Sequence, residues 1–445
     1  MMVTANPFVH RGPIRDPNYF YGRRHEIEQA LALLRSAQSV SIIGPRRIGK
    51  SSLLFHLANP AVFGAYGFDP QQHCFVYIAG DGWSQLAQPD LYALILQELS
   101  EALTQAGHNL DLTPPAPEAA SYRALEQAIR TVVGHHIRLI IMLDEFETFS
   151  TNPHLDAPFF SGLRGLATRH GVAFITASTE RLYDLTYTHT TVLSSPFFNF
   201  FAQISLQPFS QTEAKSMLQE LAGKGGVVFS PATLDFLYAL AGPHPFFLQL
   251  AGYYAFEARV HKAGPLEQSD LEQVRRQFLV EAELHWRYFW HKLAAEEQKS
   301  LALLPAASQP AIRRLLEAGL VVSEQGGFTP LSAAFQDFVS RQPLDGLLQA
   351  PPVTVDRDRQ LVLLHGQALH LAPIPFNLLA FLVTHANQIV AHQELEMAVW
   401  PENGYSGDPD RLRKAVQALR QALNDDTGQI IENVRGVGYR FVPVH

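Results

Sequence analysis

Cysteine is nearly absent. Cys74 is the only one in 445 residues, so no disulfide can close within the chain and a thiol-stapled scaffold is excluded. Long apolar runs are missing too: each candidate is broken by glycine, proline or charge before it reaches membrane-spanning length. Positive charge is in short supply. The chain has 34 Lys and Arg against 42 Asp and Glu, a net charge of −8. That balance excludes a protein that coats nucleic acid indiscriminately and leaves only a local basic patch for such contact. There is no internal repeat and no low-complexity tract. The opening MMVTANPFVHRGPIRD lacks a charged start followed by an apolar stretch, the pattern of a secretion signal. Together these absences lead us to expect a cytoplasmic protein with no membrane contact.

What is present is an ordinary apolar share, 47%, and enough length for about two to four domains. Over the first two hundred residues, short apolar runs alternate with helical patterns, the signature of a parallel sheet covered by helices on both faces. The expected strands are Val40–Ile43, Phe75–Ala79, Leu139–Leu143, Val172–Ala177 and Ile204–Leu206, all rich in Val, Ile, Leu and Phe. GHNLDLTPPAPEAA, residues 107–120, reads as a surface loop. From Gln211 to Lys262 the pattern is helical. From about Ala282 to Val339 helices precede a hairpin whose turn is Gly326-Gly327, a winged-helix outline. RQPLDGLLQAPP, residues 341–352, reads as a linker. The expected division is a core over 1–209, a helical lid over 210–265, a winged-helix-like unit over 266–345, a linker over 346–352 and a further winged helix over 353–445.

The first chemistry-bearing stretch is GPRRIGKSS. Gly44, Gly49, Lys50 and Ser51 satisfy the spacing G-x-x-x-x-G-K-[ST], after an apolar strand and before the helical LLFHLA. Glycines let backbone N–H groups curl around phosphates, and the positive end of the following helix faces them. Lys50 would reach the β/γ oxygens and Ser51 would offer its hydroxyl to Mg²⁺. Ser52 is taken as a further contact. Arg46 and Arg47 suit a phosphate, a neighbouring subunit or plain solvation equally well. The second stretch is LIIMLDE, where an apolar strand delivers Asp144 and Glu145 at its C-terminal end, the ligand edge of open α/β sheets. Asp144 would hold Mg²⁺ through water, and Glu145 would orient or deprotonate an attacking water. The third is FITASTER, where Ser178 or Thr179 would sense the terminal phosphate and Arg181 would stabilise transition-state charge.

Asn6-Pro-Phe, Arg11-Gly-Pro-Ile and Phe20-Tyr21-Gly22-Arg23, then GPRRIGKSSLL and IIMLDEFE, resemble the STAND-type P-loop NTPases and their archaeal-ATPase relatives over roughly residues 6–345. The resemblance implies an ASCE-type α/β P-loop NTPase with a parallel sheet, a helical lid and a winged helix. It implies that Tyr21, Gly22 and Arg23 lie at the adenine and ribose. AGPHPFFLQ, residues 241–249, is similar to the family's Gly-Gly-His-Pro helix start, with Pro243 in place of a glycine, and Pro245 would touch the nucleotide. Such proteins are usually slow switches. The absence of an Asn-Lys-x-Asp stretch favours ATP over GTP.

Near the C-terminus, Leu412, Val416, Leu419 and Leu423 make one apolar helix face, with Lys414, Gln417 and Gln421 opposite and Arg413 and Arg420 beside them. Such a helix suits a major groove, with glutamine able to read adenine and arginine able to read guanine or hold phosphate. LeuAlaPro at 371–373, the Phe376–Val383 run, Val399-Trp400 and the ending VRGVGYRF resemble the winged-helix output domain of OmpR/PhoB-type regulators, an α+β fold. The resemblance implies double-stranded DNA as partner, with Arg411, Arg413, Lys414, Gln417, Arg420, Arg435 and Arg440 at the interface. Residues 353–445 hold eight Lys and Arg against ten Asp and Glu, so attraction to DNA depends on where the charges sit. An interaction module is the competing reading for this segment.

The expectation for the whole is an ATP- and Mg²⁺-dependent, slowly hydrolysing switch controlling a sequence-specific DNA-binding domain. The competitors are a replication-initiator-like AAA+ ATPase and an assembly platform. A nucleotide-dependent homo-oligomer or a signalling protein is the further expected partner.

Overall fold

The computed structural model describes residues 5–110, 112, 120–188, 199–260, 262, 264–304, 307–324, 327–402 and 409–443. The prolines of the 107–120 loop and the Gly326 half of the expected hairpin turn lie outside these residues. The chain divides into two compact units, 1–282 with 317–319, and 283–316 with 320–445.

The first unit is built on β1 (Ser39–Ile43), β2 (His73–Ile78), β3 (Arg138–Leu143), β4 (Ala173–Ser178) and β5 (Phe201–Ser205). All pairings are parallel, in the order β2-β3-β4-β1-β5. The burial pattern follows the order. β1 and β4 are buried at every position, and β3 at all but its first. The edge strand β2 alternates. Within β3 the period of two divides the side chains between two cores: Leu139, Ile141 and Leu143 enter one, Ile140 and Met142 the other. Each buried Leu or Ile of this kind contributes about 1.5–3 kcal/mol.

Three helices follow, Gln211–Lys224, Pro231–Ala241 and Pro245–Val260. The first opens on a capping box between Ser210 and Glu213. The N-terminal segment is laced to the third. Asn6 Nδ2 donates to the Tyr253 carbonyl at 3.1 Å and to Glu257 Oε1 at 2.7 Å, and the Val9 amide donates to Gln249 Oε1 at 2.9 Å. Phe8 is buried between them.

The second unit holds helices Ala295–Ala302 and Ala333–Ser340 and the hairpin β6 (Val321–Glu324) and β7 (Gly327–Pro330). Trp286, fully buried, packs on Phe335 and Phe338. An antiparallel sheet follows, β8 (Leu347–Ala350), β9 (Val353–Asp356), β10 (Leu361–Leu364) and β11 (Gln367–Leu369), in the order β11-β10-β9-β8. Helices Pro373–Thr384, His392–Val399 and Pro409–Leu423 then alternate with β12 (Ile389–Ala391), β13 (Ile431–Val434) and β14 (Gly438–Phe441), ordered β12-β14-β13. Leu379, Leu382, Leu395, Leu419 and Phe441 form the heart of this core.

The stretch expected as a linker is different in the structure. Residues 347–350 are a strand hydrogen-bonded to β9, with Leu348 opposite Val355, and the two prolines form the turn between the strands. The sheet also leans on the helical segment before it. Leu303, Leu347 and Leu363 form a small apolar cluster, Lys299 pairs with Asp358 and Arg359 with Glu296. Among the described residues, no helix is long and apolar enough to cross a membrane.

Candidate phosphate cradle and nucleic-acid face

The sheet order sets the site. β4 lies between β1 and β3, so its C-terminal end separates the cradle from the acidic pair. Ile43 is level with Ser178, and Leu143 with Thr176 and Ile78. The amide of Gly44 donates to the Ser178 carbonyl at 3.2 Å. Gly49, at φ +103, adopts a turn that L side chains rarely take, and the helix Lys50–Leu57 begins directly after it.

Lys50 Nζ donates to the carbonyls of Gly44 at 2.8 Å and Pro45 at 3.0 Å, which folds the side chain back over the loop. Burial holds its ammonium below the ordinary value, while Glu147, Asp144 and Glu145 pull the other way. Ser51 is the next residue of the same helix. The Ser52 hydroxyl is engaged by the Ile14 amide at 2.9 Å, so in this structure it ties the N-terminal segment to the cradle helix. Arg47, at φ +66, lays its guanidinium over the Phe246 ring at 5.0 Å, beside Pro245. Arg46 is exposed on the loop.

Asp144 is 3% exposed. Its Oδ2 accepts from the Tyr77 hydroxyl at 2.8 Å and its Oδ1 from the Glu145 amide at 3.0 Å. Glu145 takes the left-handed conformation at φ +49, which turns its side chain away from the strand direction. Burial first, then the Asp81 carboxyl bonded to it, push the Glu145 carboxyl up to about 7. Thr179 Oγ1 donates to Glu147 Oε1 at 3.0 Å, and Ser178 Oγ donates to the Glu180 carbonyl at 2.6 Å. Of the serine/threonine pair, Thr179 is thus tied to the acidic cluster. Arg181 pairs with Glu317 at 3.2 Å.

Tyr21 and Arg23 gather around Phe209. The Tyr21 ring meets it edge-on with centroids 6.0 Å apart, and the Arg23 guanidinium lies 4.7 Å over it while pairing with Glu26 at 3.1 Å. Arg23 is almost fully buried, and its Nη2 has no hydrogen-bond partner. The Phe209 amide donates to the Pro243 carbonyl at 3.0 Å, which brings Tyr21, Gly22 and Arg23 to the start of the Pro245 helix.

The donor set fits a nucleoside triphosphate with Mg²⁺. A desolvated lysine and turned backbone suit phosphate oxygens. Ser51 and the buried carboxylate of Asp144 are the hard oxygen ligands Mg²⁺ prefers, and each carboxylate oxygen retains a lone pair for a metal-bound water. Tyr77, Asp81, Glu147, Phe209 and Glu317 belong to this neighbourhood and were not found from the sequence. Asp144 directly follows β3, whereas Ala79 and Gly80 separate Asp81 from the end of β2, so Asp81 is a weaker strand-end signal on the same edge of the sheet.

In the last domain, Arg413, Lys414 and Gln417 are exposed on the helix Pro409–Leu423, with Arg413 paired to Asp410 at 3.0 Å. Arg411 lies over the Trp400 ring at 4.1 Å. Arg435 is exposed at the tip of the β13–β14 hairpin. Arg440 pairs with Glu432 across the strands. Arg420, expected at the DNA face, is turned inward: its Nε and Nη2 donate to the Ile431 carbonyl at 3.1 and 2.5 Å.

Residues 28–311 match the profile of the family described as Novel STAND NTPase 2, well over half of the chain. The chain belongs to that family. Residues 366–441 match a second, Transcriptional regulatory protein, C terminal, so this STAND NTPase ends in an OmpR/PhoB-type winged-helix DNA-binding domain. The Walker-type ATPase PABY2304 of Pyrococcus abyssi resembles it in fold, at TM-score 0.53 and 15% identity over 75% of this chain and 99% of that one. So does the ORC2 protein of Aeropyrum pernix, at TM-score 0.52 and 15% identity over 75% and 96%. The sensory transduction protein RegX3 of Mycolicibacterium smegmatis is 32% identical over 99 residues, 22% of this chain. This chain therefore spans 43% of that relative's length.

Proposed function

We propose that this protein is an ATP-binding, slowly hydrolysing switch that sets the DNA affinity of its C-terminal winged helix and so regulates transcription. The observation that carries the reading is the pairing, in one chain, of a lysine-bearing phosphate cradle beside the buried Asp144 carboxylate with an exposed basic helix and an arginine-tipped hairpin. In it Lys50 binds the phosphates, Asp144 and Ser51 hold Mg²⁺, Glu145 orients water, and Thr179 reports on the terminal phosphate. Bound Mg²⁺ supplies charge neutralisation at the phosphates. The Tyr77 bond holds the Asp144 carboxylate in one orientation, so the metal site is preformed. Tyr21, Arg23 and Pro245 converge where a base and ribose would lie. A ligand moves a conformational equilibrium only through its differential affinity for the two states, and a site made from both core and lid residues supplies such a difference.

A DNA-remodelling ATPase is the second reading, supported by the fold shared with ORC2. Against it, the first arginine of the lid helix is Arg259, near the far end from Pro245, and its Nη1 is bonded to the Lys262 carbonyl at 2.5 Å. The deciding experiment is selection of bound duplexes from a random pool by the full chain, with ADP and with a non-hydrolysable ATP analogue. Sequence enrichment that changes with the nucleotide supports the switch. Nucleotide-independent binding removes the coupling, and steady DNA-stimulated turnover favours remodelling.

A further inference from the structure

Glu317, which ends the helix Gln309–Glu317, and Ala318 and Gly319 of the turn before β6 belong to the first unit. Two contacts hold them there. Glu317 Oε1 lies 3.2 Å from Arg181 Nη2, each side chain about half exposed. Gly319, at φ +67, rests on the cradle, where a Cβ would meet Pro45 Cγ at 2.9 Å and His244 Cδ2 at 3.6 Å. This stretch thus touches the loop after β1, the arginine after β4 and the residue before Pro245.

We propose that Glu317 is a positioning residue for Arg181, holding its guanidinium away from the cradle until a terminal phosphoryl group competes for it. The inference rests on the nucleotide reading above. It follows from competition for one guanidinium. A terminal phosphoryl group held in the cradle and the Glu317 carboxylate are alternative anionic partners for Arg181, and the phosphate offers more charge and more acceptor oxygens. With a triphosphate bound, Arg181 leaves Glu317, and the turn keeps only its contact with Pro45 and His244. A diphosphate lacks the competing group and leaves the ion pair in place. An exposed pair biases an equilibrium by up to about five-fold, so Glu317 tunes the choice between nucleotides and does not lock it. Gly319 matters for a separate reason: only a residue without a side chain accepts both the positive φ and the approach to Pro45.

The test is calorimetric titration of the full chain with ADP and with a non-hydrolysable ATP analogue, Mg²⁺ present. It compares wild type, Glu317→Gln, Arg181→Ala and the double variant. Glu317→Gln should raise analogue affinity by about two- to five-fold and leave ADP affinity unchanged. In the Arg181→Ala background it should have no effect. Hydrogen exchange at the Ala318 and Gly319 amides of wild type should rise with the analogue and not with ADP. If wild type binds both nucleotides but Glu317→Gln shifts both alike, shifts neither, or acts without Arg181, this role is wrong while the nucleotide site stands. A wild-type chain that binds neither nucleotide removes the site and the role of Glu317 together.

Discussion

At the scale of single residues, the candidate phosphate site was legible because such chemistry would demand residue types at fixed spacing. Gly49, Lys50, Asp144 and Glu145 could be named without a structure, since a phosphate cradle and a strand-end acid pair are local patterns. Tyr77, Asp81 and Glu147 could not, because their contacts with Asp144, Glu145 and Thr179 arise from strand register and from side chains that meet only in the fold. Two predictions belong here. Lys50→Ala removes a charge-assisted contact and should weaken nucleotide binding by about 10- to 100-fold, read by calorimetry. Glu145→Gln should keep nucleotide affinity and lower turnover by about 10²–10⁴-fold, read by phosphate release; unchanged turnover would exclude it as the water-orienting group. His10 supplies a third. It is buried between the Tyr253 ring and Glu281, 3.4 Å from the latter, and burial lowers its pKa from the ordinary 6.5. The unfolded chain therefore takes up this proton first. Stability from this site is full above about 6.5 and declines as the pH falls below it. A His10→Gln variant should show a flatter acid limb in thermal melts between pH 7 and 5.

Elements were read well where an apolar period was long and badly where a turn signal was loud. The five strands of the first unit lie within a few residues of their expected positions, because short apolar runs of three to six residues leave few alternatives. The paired prolines at 351–352 read as a linker, and the short LLQA before them has no period of its own. Its partner β9 makes it a strand. The helix Pro409–Leu423 shows a different limit. Leu412, Val416, Leu419 and Leu423 fixed its buried face correctly. The sequence could not reveal that the Ile431 carbonyl waits for Arg420, since that bond depends on where β13 begins. Asp425 organises the same corner, accepting from the amides of Gln429, Ile430 and Ile431 at 2.7, 3.1 and 2.8 Å. Arg420→Ala should therefore lower thermal stability by about 1–3 kcal/mol rather than act on DNA alone. Arg413→Ala, Lys414→Ala or Arg435→Ala should weaken DNA binding and leave the melting temperature in place. With three cations on that face, log K against log salt should have a slope near −3, at about −0.9 per phosphate. A slope as steep as −8 would require a basic surface elsewhere.

For the molecule as a whole, the order of parts along the chain was visible, but the grouping was not. The sequence reading separates a winged-helix-like unit from the DNA-binding domain. In the structure the DNA-binding domain and all of that unit except 266–282 and 317–319 fall in one compact unit, joined by the Leu303–Leu347–Leu363 cluster and the pairs Lys299–Asp358 and Arg359–Glu296. This arrangement bears on how the protein should be dissected. A fragment begun at Val353, the boundary that the proline pair suggests, would shed β8 and uncover the hydrogen-bonding edge of β9. Open strand edges recruit other chains. Such a fragment should self-associate in sedimentation experiments, whereas one begun near Glu283 should run as a monodisperse species and be the better bait for operator DNA.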